Sequence, residues 1–465
     1  MDSSTKRRLI LGFLSNWISK LATTIIQLVQ VPVFLHFWSV PLYGEWMIVI
    51  AVPSYLNVSN FGFGSVAGNE MSMMTAREDR EGALRVFQSC WWFITLICLA
   101  CMALLAGVLY FLPAARLLKL HEINETDAKW IIFYLGCSVL LGQLETLLQS
   151  AYRCIGRYPY GSFLKSMFSL VAFALMLVPV CMGGGARETA LVFAAANIVI
   201  TLVLCIMVKR DIPWIRYGWE HATFSEIKRL SGPAFAFMAF PIGIAVNLQG
   251  TLMAIGYALG PTAVVIFGTA RTVSRVALQM VQMINNTFWP ELSHAFGLKD
   301  MALTRALHRR ACQMGLIVAF VVVAAVVLFG PWFLHRWTGG HVPPDRTLLS
   351  ILLAVVVAYS LWSTSSTLLT AVNLHQRLAA WYLFGTSVTV VVTYLAAKYG
   401  GLNWAAASLL LSELVMNFYV LPASLRLSDD TFPAFFASML HYPQSLRPAA
   451  LMARLRRSRP SSLAS

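Results

Sequence analysis

Twelve stretches of this chain are each long and apolar enough to cross a membrane, which leaves few folds open to it. A helix needs about 20 mostly apolar residues to traverse ~30 Å of hydrocarbon, where backbone N–H and C=O groups must be satisfied internally. The stretches run at 9–34, 43–67, 86–112, 128–152, 160–182, 189–208, 231–257, 261–289, 311–335, 347–372, 378–397 and 402–422. Of the 465 residues, 58% are apolar and 12% are charged, whereas soluble domains carry about 45–50% and ~25%. A soluble multidomain enzyme is excluded. The expected fold is an all-α polytopic membrane protein. Lys6-Arg7-Arg8 precedes an apolar run too long for a signal core, so the first stretch is expected to remain as a span.

The formal charge of +15 would suggest a nucleic-acid partner in a soluble protein. Here it sets orientation instead, and no nucleic-acid partner is expected. With the N-terminus inside, the inner segments hold 24 Lys and Arg and the outer segments seven. Both termini are therefore expected in the cytoplasm.

The two halves share a loop plan. In each, a charged inner loop follows the second span (Glu70–Arg85; Pro290–Arg310) and a short inner turn follows the fourth (Arg153–Pro159; Asn373–Arg377). Six spans plus six predict parallel repeats with a site between them near the midplane. We assign 1–217 and 218–423 to the two six-helix halves, and 424–465 to a basic, Ser- and Pro-rich tail expected to be disordered and drawn to anionic lipid.

Polar groups inside spans mark the candidate site. On the first span Asn16, Lys20, Thr23, Gln27 and Gln30 fall on one face, and on the eighth Arg271, Arg275, Gln279, Gln282 and Asn286 do the same. Two such stripes suit two walls of one central cavity, although Gln and Asn also serve as interhelical glue at ~0.6 kcal/mol per contact. Lys20, Arg271 and Arg275 lie too deep to snorkel easily. Two central Arg cost on the order of 5–7 kcal/mol on insertion scales. They either meet an anion, for which guanidinium supplies bidentate donors, or pair with Glu45 or Glu413. Those two carboxylates are candidate sites for a coupling proton or sodium ion, or else neutralise cavity cations. Glu145 and Lys165, at similar depth, are expected to form a structural ion pair.

Several motifs carry no chemistry. The eight cysteines lie in or beside apolar spans, and Cys98-Leu-Ala-Cys101 reads as packing rather than a metal pair. Gly62, Gly64 and Gly68 lack the preceding strand of a dinucleotide site, while Gly64-xxx-Gly68 permits close helix packing. Pro32, Pro53, Pro179, Pro233 and Pro241 interrupt or bound spans, where they permit bending. There is no catalytic arrangement, HExxH pattern or Walker loop. Neither enzyme activity, metal nor cofactor is expected.

The runs Tyr43-Gly44-Glu45-Trp46, Tyr55-Leu56-Asn57-Val58-Ser59-Asn60-Phe61-Gly62-Phe63-Gly64 and Gly68-Asn69-Glu70 resemble the polysaccharide-transport branch of the multidrug/oligosaccharidyl-lipid/polysaccharide exporter superfamily, in particular its Wzx-type O-antigen and exopolysaccharide flippases. The resemblance implies two six-helix lobes forming a V, with the first and eighth helices beside a lateral portal. It also implies an undecaprenyl-diphosphate-linked oligosaccharide as cargo, moved across a bacterial cytoplasmic (inner) membrane. A polysaccharide polymerase and a chain-length regulator are candidate partners. On that basis Lys20, Arg271, Arg275, Asn16, Gln27, Gln279 and Gln282 are the expected substrate contacts, and Glu45 and Glu413 the expected ion-coupling groups. The competing readings are a drug/cation antiporter of the same superfamily, a non-transporting subunit of a polysaccharide assembly complex, and, more remotely, a membrane glycosyl-polymerising enzyme.

Overall fold

The computed structural model describes residues 3–56, 63–372 and 374–440, with side chains from residue 19 onward except at 65, 69, 76, 232–240, 290, 294, 297, 375 and 440. All regular structure among the described residues is helical: α1 Ser3–Phe37, α2 Val40–Ser54, α3 Phe63–Ala76, α4 Arg80–Phe111, α5 Ala114–Leu117, α6 Glu125–Cys154, α7 Tyr158–Cys181, α8 Ala186–Asp211, α9 Phe224–Ala245, a π-helical turn Val246–Gly250, α10 Thr251–Leu259, α11 Pro261–Gly297, α12 Met301–Trp337, α13 Arg346–Ala371, α14 His375–Leu427 and α15 Phe432–Leu440. Among the described residues, ten helices are long and apolar enough to span a bilayer.

The twelve expected spans are recovered once two features are read correctly. The second span, expected as continuous, is divided into α2 and α3; Pro53 closes α2, and residues 57–62 of the glycine-rich motif lie outside the described residues. Conversely, α14 is two antiparallel helices. It turns at Gly401, whose φ of 79° suits glycine. The hydroxyls of Thr393 and Ser408 meet at 2.7 Å across that turn, whereas 15 residues of straight helix would separate them by about 22 Å.

With an even number of spans, the chain enters and leaves on one face of the bundle. Apolar packing differs sharply between the two faces. Far from the termini, one continuous core joins both halves, with Phe34, Trp38, Trp46 and Ile131 packed in the same cluster as Ile255, Phe267, Trp337 and Leu348. Here Gly44 lies so close to Pro261 that an added Cβ would collide with the Pro261 carbonyl. Toward the termini the cores separate. One, around Phe87, Leu147, Tyr152 and Leu204, belongs to the first half and the start of α9. The others, around Trp362 and Met416, Cys312 and Leu425, and Leu292 and Leu368, belong to the second half. Among the described residues, the halves thus share one apolar core at the end away from the termini, while toward the termini they meet at the start of α9, where Arg229 pairs with Glu70 at 3.0 Å.

The expectation of a disordered tail from residue 424 is corrected by the structure. Helix α14 continues to Leu427, and α15 docks on α12. Phe435 is fully buried and stacks on His308 at 5.5 Å, Arg309 grips Asp430 through two bonds of 2.7 and 2.5 Å, and Arg305 reaches Asp429 at 3.2 Å. The distal Arg-, Ser- and Pro-rich composition masked these anchors; residues 441–465 lie outside the described residues. Burial alone pushes the Asp430 carboxyl up, but the Arg309 guanidinium and the Thr431 N–H outweigh it and hold the group below the usual carboxylate range. A depressed carboxylate stabilises the fold above its unfolded pKa, and that contribution is lost as pH falls through the folded value. Docking of α15 should therefore persist through neutral pH and fail only below about pH 4. Asp430→Asn should release the helix at neutral pH, seen as faster proteolysis between residues 428 and 440; unchanged cleavage would show that Phe435 holds it alone.

Candidate functional site

Helices α1 and α11 are apolar apart from one polar face each, and the fold turns those faces toward one another. The Thr24 hydroxyl donates to Gln279 Oε1 at 3.4 Å, and Gln279 Nε2 donates to Gln27 Oε1 at 3.5 Å. Gln27 and Gln279 therefore contribute to helix contact as well as to the polar surface. Lys20, one turn before Thr24 on the same face, is exposed. The Asn16 side chain lies outside the described residues. Gln282 continues the α11 stripe into a cavity described below.

The two arginines, alike in sequence, differ in surroundings. Arg271 is held by neutral acceptors. Its guanidinium donates to Asn247 Oδ1 at 2.6 Å, Thr251 Oγ1 at 2.8 Å, and the Asn247 and Leu248 carbonyls at 3.3 Å. These acceptors lie in and beside the π-helical turn, where the wider backbone ring breaks the α-helical i to i−4 bonding. Phe267 lies beneath the guanidinium at 5.4 Å. Arg275, one turn further on, is half-buried and has no hydrogen-bond or ion-pair partner among the described residues. The phenols of Tyr359 and Tyr382 lie within its electrostatic range.

Neither arginine forms an ion pair within 4 Å with Glu45 or Glu413 among the described residues, which corrects that alternative. Glu45 sits at the closed end of the bundle, fully buried. Its Oε1 accepts from the N–H groups of His121 and Glu122 at 2.5 and 2.9 Å, and its Oε2 from those of Glu122 and Ile123 at 3.0 and 2.8 Å. That is the geometry of a loop anchor, not of an open ion site. Glu413 is buried in the second half, accepting from Trp362 Nε1 at 2.6 Å and Ser412 Oγ at 3.2 Å, within electrostatic range of Arg271. The expected Glu145–Lys165 pair is likewise absent at 4 Å; Glu145 accepts from the Thr201 hydroxyl at 2.9 Å and Lys165 points outward, exposed. Cys98 donates to the Leu140 carbonyl within the first-half core.

Between α11, α13 and the start of α14 lies a half-open cavity of about 240 Å3. Gln282, Asn285 and Asn286 line one wall and the hydroxyls of Ser363, Ser366, Thr367 and Thr370 another. Tyr359, Trp362, Tyr382 and Trp289 supply aromatic surface. Except for Gln282 and Asn286, none of these was singled out from sequence. The signal was present as the run Ser363-Thr364-Ser365-Ser366-Thr367, five consecutive hydroxyl residues inside an apolar span.

No protein-family model matches the chain, and no curated protein matches it. Solved structures do. The inward-facing conformation of a multidrug resistance MATE family transporter of the MOP superfamily aligns over 89% of this chain and 94% of that one, with a TM-score of 0.69 at 14% identity. An outward-facing conformation of a transporter so described aligns over 91% and 96%, with a TM-score of 0.63 at 14% identity. A MOP superfamily transporter from Pyrococcus furiosus, for which reverse polarity of the binding pocket is held to suggest a different function, aligns over 91% and 95% with a TM-score of 0.56 at 14% identity. The chain is thus a multi-pass membrane protein with the fold of the MATE family transporters of the MOP superfamily.

Proposed function

We propose that this protein is a flippase that carries an undecaprenyl-diphosphate-linked oligosaccharide across the bacterial cytoplasmic membrane by alternating access. The observation that supports this most is Arg275. A half-buried guanidinium in the middle of a spanning helix, with no partner among the described residues, is a standing electrostatic debt that an anionic cargo discharges. Lys20 adds a second cation on the facing stripe. The apolar core shared by both halves only at the end away from the termini, with separate cores elsewhere, suits one limb of an alternating-access cycle. With both termini cytoplasmic, as the Lys and Arg bias predicts, the cavity opens toward the side on which lipid-linked precursors are assembled.

In this reading Arg275 and Lys20 receive the diphosphate, Gln282 and Asn286 line the path of the glycan, and the prenyl tail stays in lipid. Arg271 steadies the π-helical turn, and Glu45 anchors a loop. Glu413 is the remaining ion-coupling candidate, since it lies within electrostatic range of Arg271, one turn from Arg275. Glu413→Gln should then bring the gradient-driven rate down to the rate without a gradient. An unchanged stimulation by the gradient would remove it from the coupling path. A polysaccharide polymerase and a chain-length regulator are the partners such a flippase would serve.

A drug/cation antiporter is the second reading, because transporters of that class share the fold. It is disfavoured by the cavity walls, which carry amides, hydroxyls and aromatic rings but no carboxylate. Reconstitution in proteoliposomes separates the two. The flippase reading expects glycosidase- or quencher-accessible lipid-linked glycan to move between leaflets. Export of a fluorescent cation without glycan movement would reverse the order, and movement of neither would favour a non-transporting assembly subunit.

A further inference from the structure

The cavity between α11 and α13 has a chemistry distinct from that of Arg275. Its hydroxyls have already given their protons away: Ser366 donates to the Ser363 carbonyl at 2.7 Å, and Thr370 to the Ser366 and Thr367 carbonyls at 3.2 and 3.0 Å. Back-bonded hydroxyls of this kind face the cavity as acceptors. Asn285 adds to the pattern. Its amide nitrogen donates to Ser363 Oγ at 3.0 Å, while its Oδ1 is buried with no partner among the described residues. A buried, unsatisfied acceptor costs about 1–3 kcal/mol, which a ligand hydroxyl would recover once the amide turned toward the cavity.

The aromatic side is equally specific. Trp362 spends its indole N–H on Glu413 behind the wall, so the cavity meets the ring rather than its polar edge. Tyr359 and Tyr382 lie against that ring at centroid separations of 5.0 and 5.8 Å, and Trp289 stands half-exposed at the mouth. The back-bonded hydroxyls of Ser366 and Thr370 offer a phosphate no protons. A cation would suit the rings, but the Arg275 charge acts on Tyr359 and Tyr382 and no carboxylate lines the space among the described residues. What remains is a neutral ligand with many hydroxyl donors and an apolar C–H face. A pocket of 240 Å3, below the ~300–1,000 Å3 that houses a drug-sized ligand, suits one sugar ring rather than an oligosaccharide.

We infer that this cavity is a subsite for the first, neutral sugar of the lipid-linked glycan, with Asn285, Ser366 and Thr370 accepting its hydroxyl protons and Tyr359 and Trp362 packing on its ring. The inference rests on the flippase reading above. Along α11 the step from Arg275 to Gln282 is about 10 Å and to Asn286 about 16 Å. A diphosphate at Arg275 therefore places the sugar next to it within the cavity.

The test compares two probes on the purified full-length protein in detergent: polyprenyl diphosphate alone, and the same lipid bearing one N-acetylglucosamine. The sugar-bearing lipid is expected to bind about tenfold tighter, as two or three neutral hydrogen bonds would give. Asn285→Leu with Ser366→Val should erase that advantage while leaving the sugar-free lipid unaffected, and Thr370→Val, at the rim, should erase part of it if the double variant fails to fold. Equal binding of the two lipids to the wild type would overturn the subsite while leaving the flippase reading standing. Binding of neither would sink both. A tenfold preference that survives in all variants, or displacement by micromolar free N-acetylglucosamine, would also overturn the assignment to a lipid-linked sugar.

Discussion

Replacing Arg275 by alanine is expected to slow translocation of lipid-linked glycan at least thirtyfold without unfolding the protein. Removing one member of a desolvated, charge-assisted contact with phosphate costs about 2 kcal/mol or more, enough for that loss. The prediction is sharper because stability should move the other way. Arg275 has no partner among the described residues to leave orphaned, and a central arginine carries an insertion cost of about 2.5–3.5 kcal/mol that alanine removes. The thermal midpoint of R275A should therefore stay level or rise. Arg271→Ala is the internal contrast: it strips donors from the Asn247 and Leu248 carbonyls and from Asn247 Oδ1, so its midpoint should fall. Arg275→Lys keeps the charge but loses the fork, and should retain an intermediate rate. Leaflet-resolved translocation in proteoliposomes and thermal unfolding in detergent give both readouts. Full activity in R275A, or equal destabilisation in the two alanine variants, would mean that Arg275 is structural after all.

The contrast between these arginines marks how far the sequence could be read. Apolar runs of span length reveal helices because hydrocarbon thickness fixes their number of residues, and a face of Gln, Asn and Arg at spacings of three and four reveals the side that lipid cannot touch. Both signals are local. What Arg271 meets is not, because its acceptors are main-chain carbonyls opened by a π-helical turn that no residue type announces. The hydroxyl wall on α13 escaped notice for a related reason: serine and threonine that bond back to their own helix are compatible with an apolar span and raise no alarm in a hydropathy count. The docking of α15 was hidden by averaging, since two aspartates and Phe435 were outweighed by the arginines beyond them. Glu45 is the plainest case. A buried carboxylate near the end of a span reads as an ion site until its partners are known, and they are backbone N–H groups 76 to 78 residues away.

Glu45→Ala is accordingly expected to destabilise the protein by on the order of 3 kcal/mol, since the buried Ile123 N–H and the partly buried N–H groups of His121 and Glu122 would lose their acceptor, at about 1–3 kcal/mol for a buried group and less for one that water can reach. The damage should start at 118–124 and spread. Leu120 and Ile123 belong to the core that joins the two halves at the closed end, and Trp46, beside Glu45 in α2, is fully buried in it. The neighbouring Gly44 presses on Pro261 at the start of α11. One carboxylate thus ties the loop to the same helix that brings the halves together, so its loss should loosen the closed end as well as the loop. Glu45→Gln, which keeps one acceptor oxygen but sets an NH2 against the donors, should fall between. The checks are the thermal midpoint and protease cleavage at 118–124. If instead E45Q is as stable as the wild type and its translocation no longer responds to an ion gradient, Glu45 titrates in the cycle and the loop-anchor account is wrong. The four short bonds to main-chain donors argue against that outcome: a carboxylate so fully engaged has little room for another partner unless the loop first lets go, and the loop's apolar side chains are packed where the halves meet.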